Sequence, residues 1–512
     1  MIYYFTLLIF SIWFLKVVKD VLFWLYLWQL KNYHIGRFLA HFKTEAGEKI
    51  MRNWFVLLIF ALISRFYFNQ YLIIIYLIYC FYGAVSLILN KFRKPEFTKK
   101  ILFLSFLCFS FLIFIIFELR VLATFDNLFL ILIVLTELLI PLYVSFIILL
   151  FQPITVFLRN RIIKKARAKR EKLENLLTIG ITGSFGKSSV KDFLKVILSE
   201  SFKVVSTEDN KNSEMGISET ILKDLNNDHE IFLCEMGAYN RGGIKLLCSI
   251  AKPKIGVITG INSQHLSTFG SQENIIKAKF ELIDFLPSEG LAVLNWDSKL
   301  IRKGFKRDIA NIKYSILEKE DIWAEDIKVD KDKVYFKAIF NTGKSIKIEA
   351  NVVGKQNIIN LLCAISIARK LGMDLKEIAQ AVKKITNNNF YRTKDKDVIN
   401  FTYSSNPDSV LAHLDHLKLW KGKKIIVMPC LIELGKESKN VHKIIGEKID
   451  EVCNLAIITN KECFKSLKSK KAVFINSPQE VYERVRANIS MDGVVLLEGR
   501  LNEKIINLLN KK

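Results

Sequence analysis

The sequence predicts an α-helical transmembrane N-terminal domain followed by two α/β domains built on parallel sheets. Three observations carry that prediction. The apolar residues, 51% of 512, are concentrated before residue 158. From residue 178 short β-branched runs alternate with amphipathic helical stretches, the signature of a parallel sheet with crossover helices. A second set of such runs begins after about residue 386. The expected organisation is a multi-span membrane domain over 1–158, a basic linker over 159–177, a central domain over 178–385 and a smaller Rossmann-like domain over 386–512.

A membrane-crossing helix needs about 20 apolar residues. Segments 71–89, 101–117 and 128–150 meet or nearly meet that length, and 2–15 and 54–68 are shorter candidates. The first is expected to continue as one long helix through "KVVKDVLFWLYLWQL", with its charges at the bilayer edge. Lysine and arginine crowd the loops at 31–53 and 91–100, whereas the loops near 65–70 and 118–127 hold one arginine each. Cytoplasmic loops carry the excess of Lys and Arg, so five crossings would leave the N-terminus outside. The chain is then a multi-pass protein of the inner (cytoplasmic) membrane with residues 159–512 in the cytoplasm. The basic stretch 158–177 reads either as a helix lying on anionic lipid or as a plain linker. Because Lys/Arg runs flank apolar segments, the net charge of +25 points to membrane lipids as partners and not to nucleic acid. Eight scattered cysteines without a C-x-x-C pair fit reduced thiols in the cytosol. The N-terminus has neither the basic region nor the small-residue site of a cleavable signal peptide.

In the remainder, "LLTIGIT", "KVVST", "IFLCEMG", "IGVITGI" and "LAVLNW" are strand candidates of the central domain. "KVYFKAIF" and "SIKIEA" form an expected hairpin turned by "NTGK". "KIIVMPCLI", "LAIITN", "AVFIN" and "GVVLLEG" are the strands of the last domain, and "ITNNNFYR" (385–392) is the expected hinge.

The first strand runs into Thr182-Gly183-Ser184-Phe185-Gly186-Lys187-Ser188-Ser189 and then the helix "VKDFLKVILSE". Glycines let backbone N–H groups close around an anion, and a helix N-terminus adds partial positive charge. Lys187 would reach the β- and γ-phosphates of ATP, and the Ser188 hydroxyl would ligate Mg2+. The loop is a short variant, because the first glycine of G-x-x-x-x-G-K-[ST] would fall on Ile181. The central domain is thus a P-loop ATPase-like fold. His413 and His416 stand at i, i+3, a spacing that can suit a metal, but with no third ligand in view they read as a helix face.

With "NKNSEMGISETIL" (210–222), "EMGAYNRGGI" (235–244), "VITGINSQHLSTFGSQENIIKAKFEL" (257–282), "NVVGKQNIINLLCAISIA" (351–368), "YSSNPDSV" (403–410) and "IELGKES" (432–438) in order after the loop, residues 178–512 resemble the Mur ligase family. These are ATP-dependent ligases that build the peptide of bacterial cell-wall precursors, and the motifs are most similar to the type that adds D-alanyl-D-alanine. The resemblance implies attack of a muramoyl-peptide carboxylate on the γ-phosphate, an acyl phosphate, and then attack by the amine. It implies that Ser188 and Glu235 hold one Mg2+, and that His265 and a carbamylated Lys279 serve a second. It places Asn295, Asp297, Asn357 and Asn360 near the nucleotide, Arg392 as the arginine reaching across to the phosphates, and substrate contacts at Asn210, Asn212 and Asn406.

Four departures from the family pattern stand out. Gln356 replaces a histidine, Asn400-Phe401 replaces two aspartates, Tyr391 precedes Arg392 where glycine is usual, and "LLEGR" (496–500) replaces K-G-S-R. Where soluble members hold the UDP end of the precursor, this chain has its apolar third, so the peptide substrate is expected on a nucleotide or a lipid. The expected protein is a membrane-anchored, ADP-forming acid–amino-acid ligase of peptidoglycan synthesis. The alternatives are a polyglutamate-type ligase for another envelope polymer and a non-catalytic ATP-binding membrane scaffold.

Overall fold

A computed structural model describes residues 2–510 except 32, 34, 43–44, 67–69, 123–125, 209–210, 263–268, 387–388, 393–395, 403–404, 432–433 and 435–436. The chain divides into two compact units, Met1–Asn160 and Arg161–Lys512.

The first unit is helical. Its helices are Ile2–Leu30, Ile35–His41, Glu45–Phe66, Gln70–Ile88, Lys99–Leu122 and Asp126–Leu150, followed by the start of Gln152–Glu171. Val17, Val21, Leu25, Trp28, Leu104 and Val144 form its core. Ile78, Phe81, Phe106, Phe114, Phe117 and Phe146 are exposed. Among the described residues one helix, Lys99–Glu118, is long and apolar enough to cross a bilayer alone. The pair Val134–Leu150 and Gln152–Glu171, bent by 40°, passes the same test together. The first apolar segment does continue as a single helix to Leu30, but Lys16 is not at an edge. It is buried and pairs with Glu137 and, at 2.8 Å, with Asp20. Tyr76 Oη donates to the same Glu137 at 2.7 Å. A lone charge in an apolar bundle is costly, and pairing is what makes its burial tolerable.

The second unit holds two sheets. In the larger one, β1 (Leu177–Thr182), β2 (Val204–Ser206), β3 (Ile231–Glu235), β4 (Ile255–Ile258), β5 (Leu291–Asn295), β6 (Asn311–Ser315), β7 (Ile322–Val329), β8 (Val334–Phe340) and β9 (Ser345–Ala350) lie in the order 2-3-1-4-5-6-7-8-9. Pairing is parallel from β2 to β7, and β7–β8–β9 is an antiparallel ribbon. Side chains alternate across β1: Ile179 and Ile181 join the core under helices Lys187–Leu198 and Gln356–Lys370. On the other face a Cβ at Gly180 would lie 2.9 Å from Leu282, so glycine lets helix Gln272–Phe285 pack close. The smaller sheet comprises β10 (Phe390–Arg392), β11 (Lys396–Phe401), β12 (Lys424–Met428), β13 (Leu455–Ile458), β14 (Ala472–Phe474) and β15 (Gly493–Glu498), ordered 10-11-15-12-13-14, with only β10 antiparallel.

Strands β6, β7, β10 and β11 were not among the expected ones. The stretch 159–177 also differs from a linker or a helix lying on lipid. Most of it is the end of helix Gln152–Glu171, and Ile163 and Ala166 enter the core behind β3. Arg170 is buried and donates to the carbonyls of Ala251 (3.0 Å), Leu173 (2.8 Å) and Leu176 (2.7 Å) and to Thr178 Oγ1 (3.1 Å). Arg170→Ala leaves those buried acceptors without their donor. It should lower the stability of the second unit by about 2–4 kcal/mol, read as a lower urea midpoint with an unchanged slope.

Candidate functional site

Because β1 lies between β3 and β4, three strand ends converge where β1 turns into helix Lys187–Leu198. The turn needs both glycines. Gly183 has φ +155°, and a Cβ there would meet Thr259 Oγ1 at 2.1 Å. Gly186 has φ +79°, and its Cβ would meet Asn360 Oδ1 at 2.6 Å. Ser184 N–H donates to Gly260 O at 2.7 Å, Thr259 Oγ1 donates to Phe185 O, and the Phe185 ring covers Gly260. No side chain caps the helix start at Gly186, so its first N–H groups remain available to an anion.

At the loop's end, Ser188 Oγ donates to Glu235 Oε2 at 2.9 Å, and Asn212 Nδ2 donates to Glu235 Oε1 at 3.0 Å. Glu235 N–H is held by Thr207 Oγ1 at 3.1 Å, so strand, loop and carboxylate are fixed together. An oxygen set of this kind suits a hard divalent cation. Lys187 Nζ donates to Gly183 O at 3.0 Å. Burial holds the Lys187 ammonium below its ordinary pKa, against the opposing pull of Glu235. Lys279, on helix Gln272–Phe285, is buried. Burial first, and then the charge of Lys187, bring it down to about 7.

The other expected residues divide. Ser184, Gly186, Ser189, Asn357 and Asn406 line one cleft of about 820 Å³ with Lys187 and Ser188. Asn357 and Asn360 are linked at 3.2 Å. Asn406 caps helix Pro407–His416 and accepts from Asn262 Nδ2 at 3.1 Å. Thr182 Oγ1 serves the framework, donating to Met236 O at 2.9 Å. Asn295 and Asp297, expected beside the nucleotide, do not line the cleft. Asn295 donates to Thr259 O at 2.8 Å, and Asp297 accepts from Ser315 Oγ and Ile316 N–H at 2.5 and 3.0 Å. Arg392 is not brought to the loop either: it pairs with Asp397 at 3.2 Å on the edge ribbon and is largely exposed. His265 and Asn210 lie outside the described residues, as do parts of the 385–392, 403–410 and 432–438 motifs.

Sequence reasoning did not find Thr207 or Thr259, whose roles come from adjacent strand ends and have no local signal. His413 and His416 share no ligand. Nδ1 of His413 meets Glu498 Oε2 at 2.7 Å, and Nε2 of His416 donates to Lys331 O at 3.0 Å. Burial pushes His416 down to about 4. Cys430, His442 and Cys463 bring ligand atoms within 4.8 Å of one another. Both His442 ring nitrogens are already used, by Leu431 N–H (3.1 Å) and Ser438 O (2.7 Å), so the cluster is satisfied without a metal.

Fold and loop define a mononucleotide-binding α/β protein. Residues 181–368 match the Mur ligase middle domain. The UDP-N-acetylmuramoyl-tripeptide–D-alanyl-D-alanine ligase of Buchnera aphidicola subsp. Baizongia pistaciae is 31% identical over 349 residues, covering 66% of this chain and 72% of that protein. The protein of the same name from Synechocystis is 32% identical over 278 residues, which is 53% of this chain and 59% of the relative's length. The MurF ligase of Thermotoga maritima, solved in complex with ADP, superposes with a TM-score of 0.63 at 25% identity over 69% of this chain and 83% of that one. The chain belongs to the Mur ligase family, and the relatives it matches are named as D-alanyl-D-alanine ligases of the MurF type.

Gly260→Ala places a methyl where the Phe185 ring lies, 2.2 Å from its nearest carbon. The loop must move, and ADP affinity measured by calorimetry should fall at least tenfold, about 1.4 kcal/mol, while the circular dichroism spectrum stays unchanged.

Proposed function

We propose that this protein is a membrane-anchored, ATP-dependent ligase that joins D-alanyl-D-alanine or a related amine to the peptide of a cell-wall precursor. The observation that carries the reading is the Ser188–Glu235 pair at the mouth of the loop, with Asn212 fixing the second carboxylate oxygen. The loop N–H groups and Lys187 hold the phosphates of ATP, and the precursor carboxylate is positioned to attack the γ-phosphate. ADP leaves, an acyl phosphate remains, and the amine displaces inorganic phosphate from it. Positioning and charge neutralisation are the main tasks in such a transfer. Ser188 and Glu235 would hold Mg2+, which when bound offsets the charge of the phosphates. Lys279 fits a carbamate: a lysine with a pKa of about 7 has a sizeable neutral fraction near neutral pH, and a neutral amine can add CO2. The product is an anionic oxygen ligand that, with His265, would serve a second ion.

The outward-facing phenylalanines and isoleucines of the first unit and its Lys/Arg-rich loops support a place in the cytoplasmic membrane with the second unit in the cytoplasm. Confinement to that surface would raise the local concentration of a lipid-linked precursor. A related amine in place of D-alanyl-D-alanine is supported by Asn400 and Phe401, which line the cleft where the family usually has two aspartates.

The full chain in detergent should release phosphate from ATP only when muramoyl-tripeptide, on UDP or on lipid, and an acceptor amine are both present. Lys187→Ala should reduce that release by about 10³-fold or more. Release without the peptide, or none with any carrier and amine, contradicts the proposal. Wild-type turnover should rise with pH through about 7 and with added bicarbonate, because the neutral form of Lys279 grows as its proton is lost. Lys279→Ala should lose at least about 10²-fold in turnover and recover part of it with added acetate. Unchanged turnover in Lys279→Ala would remove the carbamate from the account.

A further inference from the structure

Two departures from the family's usual residues meet at one side chain. Phe401, at the end of β11, and Glu498, at the end of the parallel neighbour β15, are directly paired in register. His413, on helix Pro407–His416, lies over both. Its ring stacks on Phe401 with centroids 3.6 Å apart and planes 4° from parallel. Its Nδ1 donates to Glu498 Oε2 at 2.7 Å, and Ser405 Oγ donates to the other carboxylate oxygen. Glu498 is fully buried, so this carboxylate has no water to lean on and is held by these two donors.

With Nδ1–H committed to Glu498, the imidazole carries its lone pair on Nε2, which has no partner among the described residues. His413 also lines the cleft that contains Lys187 and Ser188. The neighbouring titratable groups of its helix are engaged elsewhere: Asp408 accepts from Asn262 at 2.9 Å, Asp415 pairs with Lys418 and Lys448, and His416 donates to Lys331 O. An imidazole oriented by a buried carboxylate on one nitrogen and open to a cleft on the other is the arrangement of a general base.

We propose that His413 is the general base for the acceptor amine, with Glu498, Ser405 and Phe401 as positioning residues. The inference rests on the ligase reading above and concerns only its second half. The amine arrives as an ammonium and gives one proton to His413 Nε2. Its nitrogen then forms the bond to the acyl carbon, and the acyl carbon–oxygen bond to phosphate breaks with its electron pair leaving on phosphate. The second nitrogen proton passes to the departing phosphate, and His413 returns its proton to solvent.

The test separates the halves in the full chain. Hydroxylamine, already neutral at pH 7, traps an acyl phosphate without a base, whereas an α-ammonium with a pKa of about 8 needs one. In His413→Gln, amide formation with D-alanyl-D-alanine at pH 7 should fall at least about 10²-fold further than trapping does. The deficit should shrink about tenfold or more at pH 9, where the amine is neutral unaided. Glu498→Gln should show a smaller deficit with the same recovery at high pH. Equal losses of trapping and amide formation in both variants, or a deficit that high pH does not reduce, overturn the proposal. Absence of trapping in the wild-type chain would instead overturn the ligase reading itself.

Discussion

The hydrogen bond between Ser188 and Glu235 depends on the order of strands in the central sheet. Glu235 ends β3 and Ser188 begins the helix after β1; only because β1 is inserted between β3 and β4 do the loop, the carboxylate and the Thr259 segment share one corner. Everything local to the loop follows from that convergence. Gly183 and Gly186 are needed because Thr259 and Asn360 approach too closely for a side chain. Lys187 is half-buried at this corner, and its charge helps to depress Lys279 one helix away. A site assembled from strand ends has its framework in place without a ligand, the arrangement that suits the proposed phosphoryl transfer by positioning.

The two units distribute polarity differently. The first turns large apolar side chains outward and buries Lys16 against Glu137 with Asp20 beside them. The second turns its charges outward and buries few of them. Arg170 marks the change of regime: within one helix a run of basic residues delivers one guanidinium into the α/β core, where carbonyls at loop ends accept it. Its neighbours Lys169 and Lys172 stay at or near the surface.

Much of the fold was legible because the parallel strands are short β-branched runs buried on both faces, and such runs stand out against the helices between them. β6, reading Asn-Ile-Lys-Tyr-Ser, and β11, reading Lys-Asp-Val-Ile-Asn-Phe, carry too many polar residues for that signal; their pairing is settled by neighbouring strands. Gly183 to Ser189 was legible because a phosphate loop is a local object. Glu235 was found from its place at a strand end within a matched motif. Lys279 illustrates the limit: "KAKFE" reads as a surface helix turn, and only the tertiary packing of that helix buries its lysine. Asn295 and Asp297 were placed by motif alone, and in the fold their side chains tie strand ends together. The His413–Glu498 pair spans 85 residues and depends on the register of β11 and β15, which no local pattern encodes.

The central claim is that Glu235 and Ser188 make the loop a metal–nucleotide site and not merely an anion pocket. Calorimetry of ADP binding to the full chain, with and without Mg2+, tests it most directly in wild type and Glu235→Gln. The account predicts that Mg2+ strengthens ADP binding to the wild type at least tenfold, about 1.4 kcal/mol, and that this gain disappears in Glu235→Gln while the Mg2+-free affinity is retained. An equal Mg2+ gain in both proteins, or no ADP binding by the wild type, would contradict it.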